Sequence, residues 1–398
     1  MHSKIINKQI GVELKKFVIV IGASVGALDA STAHAQSSVT LYGLIDAGIM
    51  YTNNATSGAS HGALWQATSA TNNGSRFGVR GVEDLGGGLK AIFVLENGFN
   101  SENGKLGQDG KLFGRQAYVG LASNQLGTVT LGRQYDSMAD FVMPFSAVAG
   151  STGSDAFAHP FDNDNLNHSV RISNAAKYAS NSYRGLTFGA MYAFSNSTSF
   201  SANRAWSGGV SYNHGPFSAG AAYLQINDSK GSNASSAGAI DVNESSLNGQ
   251  GGFSLGADRQ RTFGAGSNYT FGPAVVGFVY THSQFDGSDS FGSTGGTVSF
   301  NNFEVNGKYT LTRNIRVGLA YTYTNGHVDN TTTYGADPKW NQVDFQAVYS
   351  FSKRTDAYVD AAYQHVTGQN YVAFMKNSGG ASSTANQVIG TIGLRTHF

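Results

Sequence analysis

The run Ile315-Arg316-Val317-Gly318-Leu319-Ala320-Tyr321-Thr322-Tyr323-Thr324-Asn325 decides the fold. Ile315, Val317, Leu319, Tyr321 and Tyr323 are apolar or aromatic, while Arg316, Gly318, Ala320, Thr322 and Thr324 between them are small or polar. A period of two held over about ten residues predicts a strand with one apolar and one polar face. The following run repeats it: Val343, Phe345, Ala347, Tyr349 and Phe351 alternate with Gln342, Asp344, Gln346 and Ser350. So do Leu186, Phe188, Ala190, Tyr192 and Phe194, then Val276, Phe278 and Tyr280, and the last run with Val388, Ile392, Leu394 and Phe398.

Working outward, sixteen such runs are found, at roughly 38–51, 73–83, 89–99, 113–122, 127–135, 170–180, 185–195, 205–213, 216–226, 259–271, 274–285, 299–311, 315–326, 341–351, 355–366 and 387–398. Short spacers such as Phe271-Gly272-Pro273 and Ser352-Lys353-Arg354 alternate with long ones at 52–72, 100–112, 136–169, 196–204, 227–258, 286–298, 327–340 and 367–386. Short turns at one end and long loops at the other are the layout of an all-β, antiparallel transmembrane barrel. None of the five prolines falls mid-strand, where its missing N–H would break a ladder bond.

Charge decides which face looks in. The polar face carries Arg76, Arg80, Glu96, Arg115, Arg133 and Asp360, too much charge for a dry interior. The apolar face therefore looks outward, toward lipid or a partner subunit. A sixteen-stranded barrel is too wide for side chains to fill and leaves an aqueous channel. Tyr51, Phe99, Phe271, Tyr323 and Phe351 stand at strand ends, where interfacial aromatic girdles belong.

Residues 1–35 read as a secretory signal peptide. Lys4, Lys8, Lys15 and Lys16 precede the apolar run Phe17–Leu28, and Ala33-His34-Ala35 fits a small-x-small cleavage site. The barrel domain is then 36–398. Removing residues 1–35 takes four lysines, Glu13 and Asp29, and moves the formal charge from +1 to −1. That balance gives no footprint for nucleic acid. The chain has no cysteine, hence no disulfide framework and no thiolate metal site. With 52 glycines, 25 Phe and 19 Tyr and a mean hydropathy of −0.22, it suits many short strands and no membrane helix after the signal.

One segment interrupts the repeat. Asp136 to Val170 holds five aspartates, Asp136, Asp140, Asp155, Asp162 and Asp164, and no lysine or arginine. A segment this long without regular structure is usually functional or disordered. The reading is that it folds into the hole the strands enclose. Acids facing arginines across a narrow aqueous gap set up a transverse field, strengthened by the low-dielectric frame. Hydrated ions and small polar solutes pass such a gap, and its lining charge sets ion selectivity.

Several stretches resemble the general diffusion porins of Gram-negative bacteria, in their beta-proteobacterial (Burkholderia/Neisseria-like) branch. They are Ser38-Val39-Thr40-Leu41-Tyr42-Gly43, Ser75–Gly86 with Gly88-Leu89-Lys90-Ala91, Gly114–Leu121, Gly127–Arg133, Ser352-Lys353-Arg354-Thr355 and Leu394-Arg395-Thr396-His397-Phe398. The resemblance spans the mature chain, apart from the spacers 52–72 and 227–258. It implies an outer-membrane homotrimer of sixteen-stranded barrels, in contact with lipid and lipopolysaccharide, whose inward-folded third loop narrows the pore. It places Arg76, Arg115 and Arg171 in the arginine cluster, with Arg80 and Arg133 nearby, and Glu96 as a wall carboxylate. Asp140 and Asp155 are the expected facing acids, with Asp162 and Asp164 behind them. Phe398 takes the place of the assembly signal. Five strand arginines suggest a mild anion preference.

Other readings are weaker. Gly22–Gly26 and Gly252–Gly256 fit a serine-nucleophile elbow, but the first lies in the signal and the second in a Gly/Ser-rich loop. Gly86-x-Gly88-x-x-Ala91 opens a strand rather than a helix, so it is no dinucleotide site. Asp162-Asn163-Asp164-Asn165 begins like a calcium loop but continues with Leu166 and lacks the closing Glu. Neither metal nor cofactor is expected. An adhesin would need a plug or passenger domain, an enzyme a Ser/His or Asp/His pair at the outer rim, and a substrate-specific channel an aromatic slide inside. Most aromatics fall on the outward parity.

Overall fold

The structure is a computed structural model that describes residues 38–69, 71–149, 153–228, 238–241 and 256–398. The cleavage site after Ala35, residues 252–255 and most of the spacer 227–258 lie outside them.

The strands are β1 (Ser38–Ser57), β2 (Ser60–Ser69), β3 (Arg76–Gly86), β4 (Leu89–Gly98), β5 (Gln116–Ser123), β6 (Gly127–Gln134), β7 (Ile172–Ala179), β8 (Leu186–Ala193), β9 (Arg204–His214), β10 (Phe217–Asn227), β11 (Arg259–Phe271), β12 (Ala274–Ser288), β13 (Gly296–Thr310), β14 (Ile315–Val328), β15 (Lys339–Ser350), β16 (Thr355–Thr367) and β17 (Asn386–His397). From β3 onward each pairs antiparallel with the next, and β17 returns to β1. The sheet is closed, so no edge is left for stray pairing. Phe398 completes the seam: it exchanges both backbone hydrogen bonds with Gly43, each at 3.1 Å.

β2 and β3 form one stave between them. β1 pairs with β3 through Ser38–Leu44 and with β2 through Ala47–Ser57, which makes the barrel sixteen-staved. This corrects the expected long loop at 52–72. β1 and β2 run on as a hairpin closed at Gly58, whose φ of 60° suits a tight turn. Its strands are largely Ser, Thr, Asn, Gly and Ala, so the alternation that marks lipid-facing strands fades there.

Asp46 catches the break between the two half-staves. Its carboxylate accepts hydrogen bonds from the backbone of Asn72 (3.2 Å) and Asn73 (2.9 Å) and from the Tyr358 hydroxyl (2.5 Å).

Parity sorts the faces as alternation demands. On β13–β15, Asn302, Glu304, Thr322, Gln342 and Asp344 point inward and are buried, while Phe303, Val305, Leu319, Val343 and Phe345 point outward and are exposed. Outward Tyr280, Phe303, Tyr323 and Tyr363 band the long-loop end, and Tyr269, Tyr309 and Tyr349 the short-turn end.

After β6 the chain turns into the lumen. The Asp136 carboxylate accepts from Met138 N at 2.7 Å and caps a short helix, Ser137–Phe141. Tight turns follow at Met143–Phe145, Asp155–Phe157 and Pro160–Asp162. Met138, Val142, Phe145, Val148 and Phe157 pack on small or apolar lumen-facing residues of β7–β14, among them Ala175, Ala193, Ala205, Ala222 and Ala320. Glycine is needed at the closest approaches. A Cβ on Gly209 would lie 2.4 Å from the Phe141 ring, and one on Gly220 would lie 2.2 Å from the Phe141 carbonyl oxygen. The loop therefore leans on the wall that offers room.

Polar anchors carry it across the lumen. Glu304 Oε1 accepts from Ala147 N (2.8 Å), Lys308 Nζ donates to Ala149 O (2.7 Å), and Thr71 O, in the broken stave, accepts from Asp155 N (2.9 Å) and Ser154 Oγ (3.0 Å).

Above the inner loop the lumen is lined differently from expectation. Phe285, Phe300 and Trp340 point inward and are buried. With Phe161, Phe291, Tyr334 and Tyr371 they form one cluster, in which Phe161 and Phe291 lie 5.2 Å apart and Phe161 meets Trp340 edge-on at 5.8 Å. These rings pack on one another and tie three external loops to the inner one.

Candidate functional site: a charged constriction

Leaning on β7–β16, the inner loop leaves a gap against β1 and β3–β5. A cavity of about 310 Å³ occupies it, lined by Tyr42, Arg76, Glu96, Arg115, Tyr135, Met143 and His168 among others. Arg76 opens β3 on the inward parity. Glu96 lies inward on β4 and is buried. Arg115 reaches it with Nε at 2.7 Å from Glu96 Oε1 and donates Nη2 to the Tyr135 hydroxyl at 3.0 Å. Tyr42 donates its hydroxyl to Glu96 Oε2 at 2.9 Å. The wall carboxylate is thus held by one guanidinium and one phenol, which fixes Arg115 in place as a charge-assisted pair.

Arg171 enters from the far root of the loop. Its guanidinium lies over the Tyr135 ring, 5.8 Å from the centroid, and donates to Ser169 O at 3.3 Å. Lys376, on the last external loop, descends into the same space. Its Nζ lies 2.5 Å from Ser169 Oγ and 3.8 Å from Asp162 Oδ2.

His168, stacked on Tyr135 at 4.9 Å, registers this cation cluster. Burial, with Arg171, Arg115, Lys376 and Arg76 around it, holds its imidazole well below its ordinary range, so it is neutral at pH 7. Asp155 answers from the loop. Burial pushes its carboxyl up to about 7, against the pull of Lys376, Arg115 and Arg171. Four cations, Arg76, Arg115, Arg171 and Lys376, here share one neighbourhood with two carboxylates, Glu96 and Asp155.

The other expected residues stand apart from the gap. Arg80 is exposed one step nearer the short-turn end, 5.3 Å from the Tyr42 ring centroid. Arg133 sits on a bulge and sutures the loop roots, donating to Gly114 O (2.8 Å), Arg171 O (3.1 Å) and Ser173 Oγ (2.8 Å). Asp140 forms an ion pair with Lys177. Asp162 is buried and accepts from the backbone of Asn167 (2.9 Å) and Ser169 (3.0 Å), bracing the turn that carries His168.

Asp164 belongs to a second network. His159 Nδ1 lies 2.6 Å from Asp164 Oδ2, and its Nε2 lies 3.1 Å from Glu304 Oε2 on β13. Burial works against the imidazolium, yet the two carboxylates hold the His159 pKa at about 10. Asp164 is correspondingly held below its usual value, as His159 outweighs the burial penalty. This is a clamp between loop and wall. Among the described residues, no cluster of three or more His, Asp or Glu could hold a metal ion.

Sequence reasoning passed over Lys376, Lys177, His159 and His168. Lys177 shares the inward parity of its strand and was open to notice. Lys376 and both histidines sit in loops whose fold no periodicity reports.

Residues 20–369 match the family described as Gram-negative porin. The chain belongs to that family. This porin is 31% identical to an outer membrane porin protein of Bordetella pertussis, over 95% of this chain and 99% of the relative. It is 28% identical to outer membrane porin protein 32 of Delftia acidovorans, over 88% and 89% of the two chains. Among solved structures it superposes on an anion-selective porin from Comamonas acidovorans with a TM-score of 0.71 at 24% identity, covering 91% of this chain and all of that one. A Salmonella typhi OmpF structure superposes with a TM-score of 0.58 at 19% identity, covering 90% and 97%. The porin resides in the outer membrane, and the apolar faces of its staves point outward.

Proposed function

We propose that this porin passes ions and small hydrophilic solutes by passive diffusion through a constriction that favours anions. The observation that carries the reading is the imbalance at the gap, where four cations meet two carboxylates and one of those is already tied to Arg115. An excess of fixed positive charge on a water-filled neck raises the local anion concentration and opposes cations. The relative named as anion-selective is in keeping with this. Residues 1–35 act as the export signal, and Phe398, on the closing seam, as the assembly signal.

The assembly is a homotrimer, in keeping with the trimer form of a structural neighbour from Vibrio cholerae. The channel is general rather than substrate-specific, because the inward aromatics pack on one another instead of lining a path. We read it as a channel rather than an enzyme, and the rim histidine His327 has both ring nitrogens engaged, by Asp337 (2.7 Å) and Asp329 (3.0 Å).

Reconstitution in a planar bilayer tests the function. Ohmic conductance arriving in groups of three equal steps is expected. Intact folded protein that inserts and conducts nothing contradicts it.

A further inference from the structure

A second cavity lies at the short-turn mouth and meets the lining of the constriction at His397. It holds about 600 Å³ and is lined by Asn73, Arg313, Arg316, Lys353, Asp356 and Arg395 among others. Arg316, Asp356 and Arg395 all fall on the inward parity of β14, β16 and β17, so they face the lumen. Arg313 and Lys353 come from the turns that join β13 to β14 and β15 to β16.

Among the described residues, Asp356 is the sole acid of the lining, and it is already engaged. It accepts from Arg395 Nη2 at 3.0 Å, from Arg316 Nη2 at 3.4 Å and from Ser350 Oγ at 2.5 Å. Arg395 also donates Nη1 to Asn73 Oδ1 at 2.5 Å. Four cationic side chains thus surround one carboxylate that two of them already share. The Arg395 side chain is only 3% exposed. Its Nε–H, and that of Arg316, are buried with no protein acceptor. With one carboxylate among four cations, the lining keeps an excess of positive charge that an anion with several oxygens would answer.

We propose that this cavity, on the short-turn side of the constriction, binds multiply charged phosphate-type oxyanions. Attraction grows with the charge of the anion, so a polyanion is held where chloride exchanges freely. The fork of an arginine matches the oxygens of a phosphoryl group, and a lysine adds a point charge. At about 600 Å³ the cavity has room for a pyrophosphate together with water. The site stands on the channel reading, since its ligand arrives through water in the lumen.

The test uses the full-length trimer in a planar bilayer at low ionic strength, with pyrophosphate as the probe. Pyrophosphate added on the short-turn side should give brief conductance blocks at lower concentration than when added opposite. In R313Q/K353Q, changed only at exposed turn residues, the dwell time should shorten about tenfold, the scale of losing charge-assisted contacts. Calorimetry on the detergent-solubilised trimer should give one pyrophosphate per chain, with affinity reduced in the same variant. Blocks that are symmetric, or that persist in R313Q/K353Q with unchanged affinity, overturn the site while leaving the channel reading intact. A protein without conductance overturns the channel reading, and the calorimetric arm still decides the site.

Discussion

His159→Leu tests how the inner loop is held. The histidine lies between Asp164 and Glu304, its side chain 2% exposed and theirs fully buried. Leucine fills much of the space but leaves two carboxylates without their cation. Holding a histidine at about 10 against an ordinary 6.5 corresponds to roughly 5 kcal/mol of preference for the charged form. Breaking a buried pair by removing one partner costs about 3–5 kcal/mol. The loop should then open roughly 10²- to 10³·⁵-fold more often, read as lost hydrogen-exchange protection over residues 155–170.

The clamp also predicts a pH profile for the wild type. The raised His159 value makes its stabilisation complete below about 6.5 and drains it as pH climbs toward about 10. The depressed Asp164 value makes its own stabilisation present above 3.8 and lost as pH falls through the lower folded value. Protection should therefore be highest between about pH 4 and 6.5. Wild-type protection over 155–170 in the leucine variant at pH 6 would refute the clamp.

Asp155→Asn should strengthen anion preference at pH 8 and change little at pH 5.5, because the wild-type carboxyl, pushed up to about 7, is already protonated there. Reversal potentials at the two pH values check this. Lys376→Gln removes one of the four cations and should weaken anion preference with little loss of conductance, read in single channels. Deleting Phe398 removes its two hydrogen bonds to Gly43 at the seam and should lower the yield of heat-resistant folded barrel severalfold, read on unboiled gels.

The barrel was legible because alternation is local. The run predicted at 315–326 is observed at Ile315–Val328, and 259–271 is observed at Arg259–Phe271. Legibility failed where small and polar residues dilute the alternation. The apolar residues on the outward face of Ser60–Ser69 are only Ala63, Trp65 and Ala67, too short a stripe to mark half of the second stave. Arg76, Glu96, Arg115 and Arg171 came from strand motifs, and the fold brings them to one gap. The five aspartates divide into different tasks for a reason no pattern carries: each role depends on which wall residue the loop meets. Asp136 caps a helix, Asp140 meets Lys177, and Asp164 meets His159. Lys376, about two hundred residues downstream, enters the gap through a contact between two loops and has no signature at all.

In the proposed function, strand arginines at the gap set the sign of selectivity. The direct measurement is the zero-current potential in a potassium chloride gradient, for the wild type and for R76Q/R115Q/R171Q. A wild-type potential of anion-preferring sign is expected, with a shift toward cations in the triple variant. A folded, conducting triple variant with the wild-type potential would contradict it.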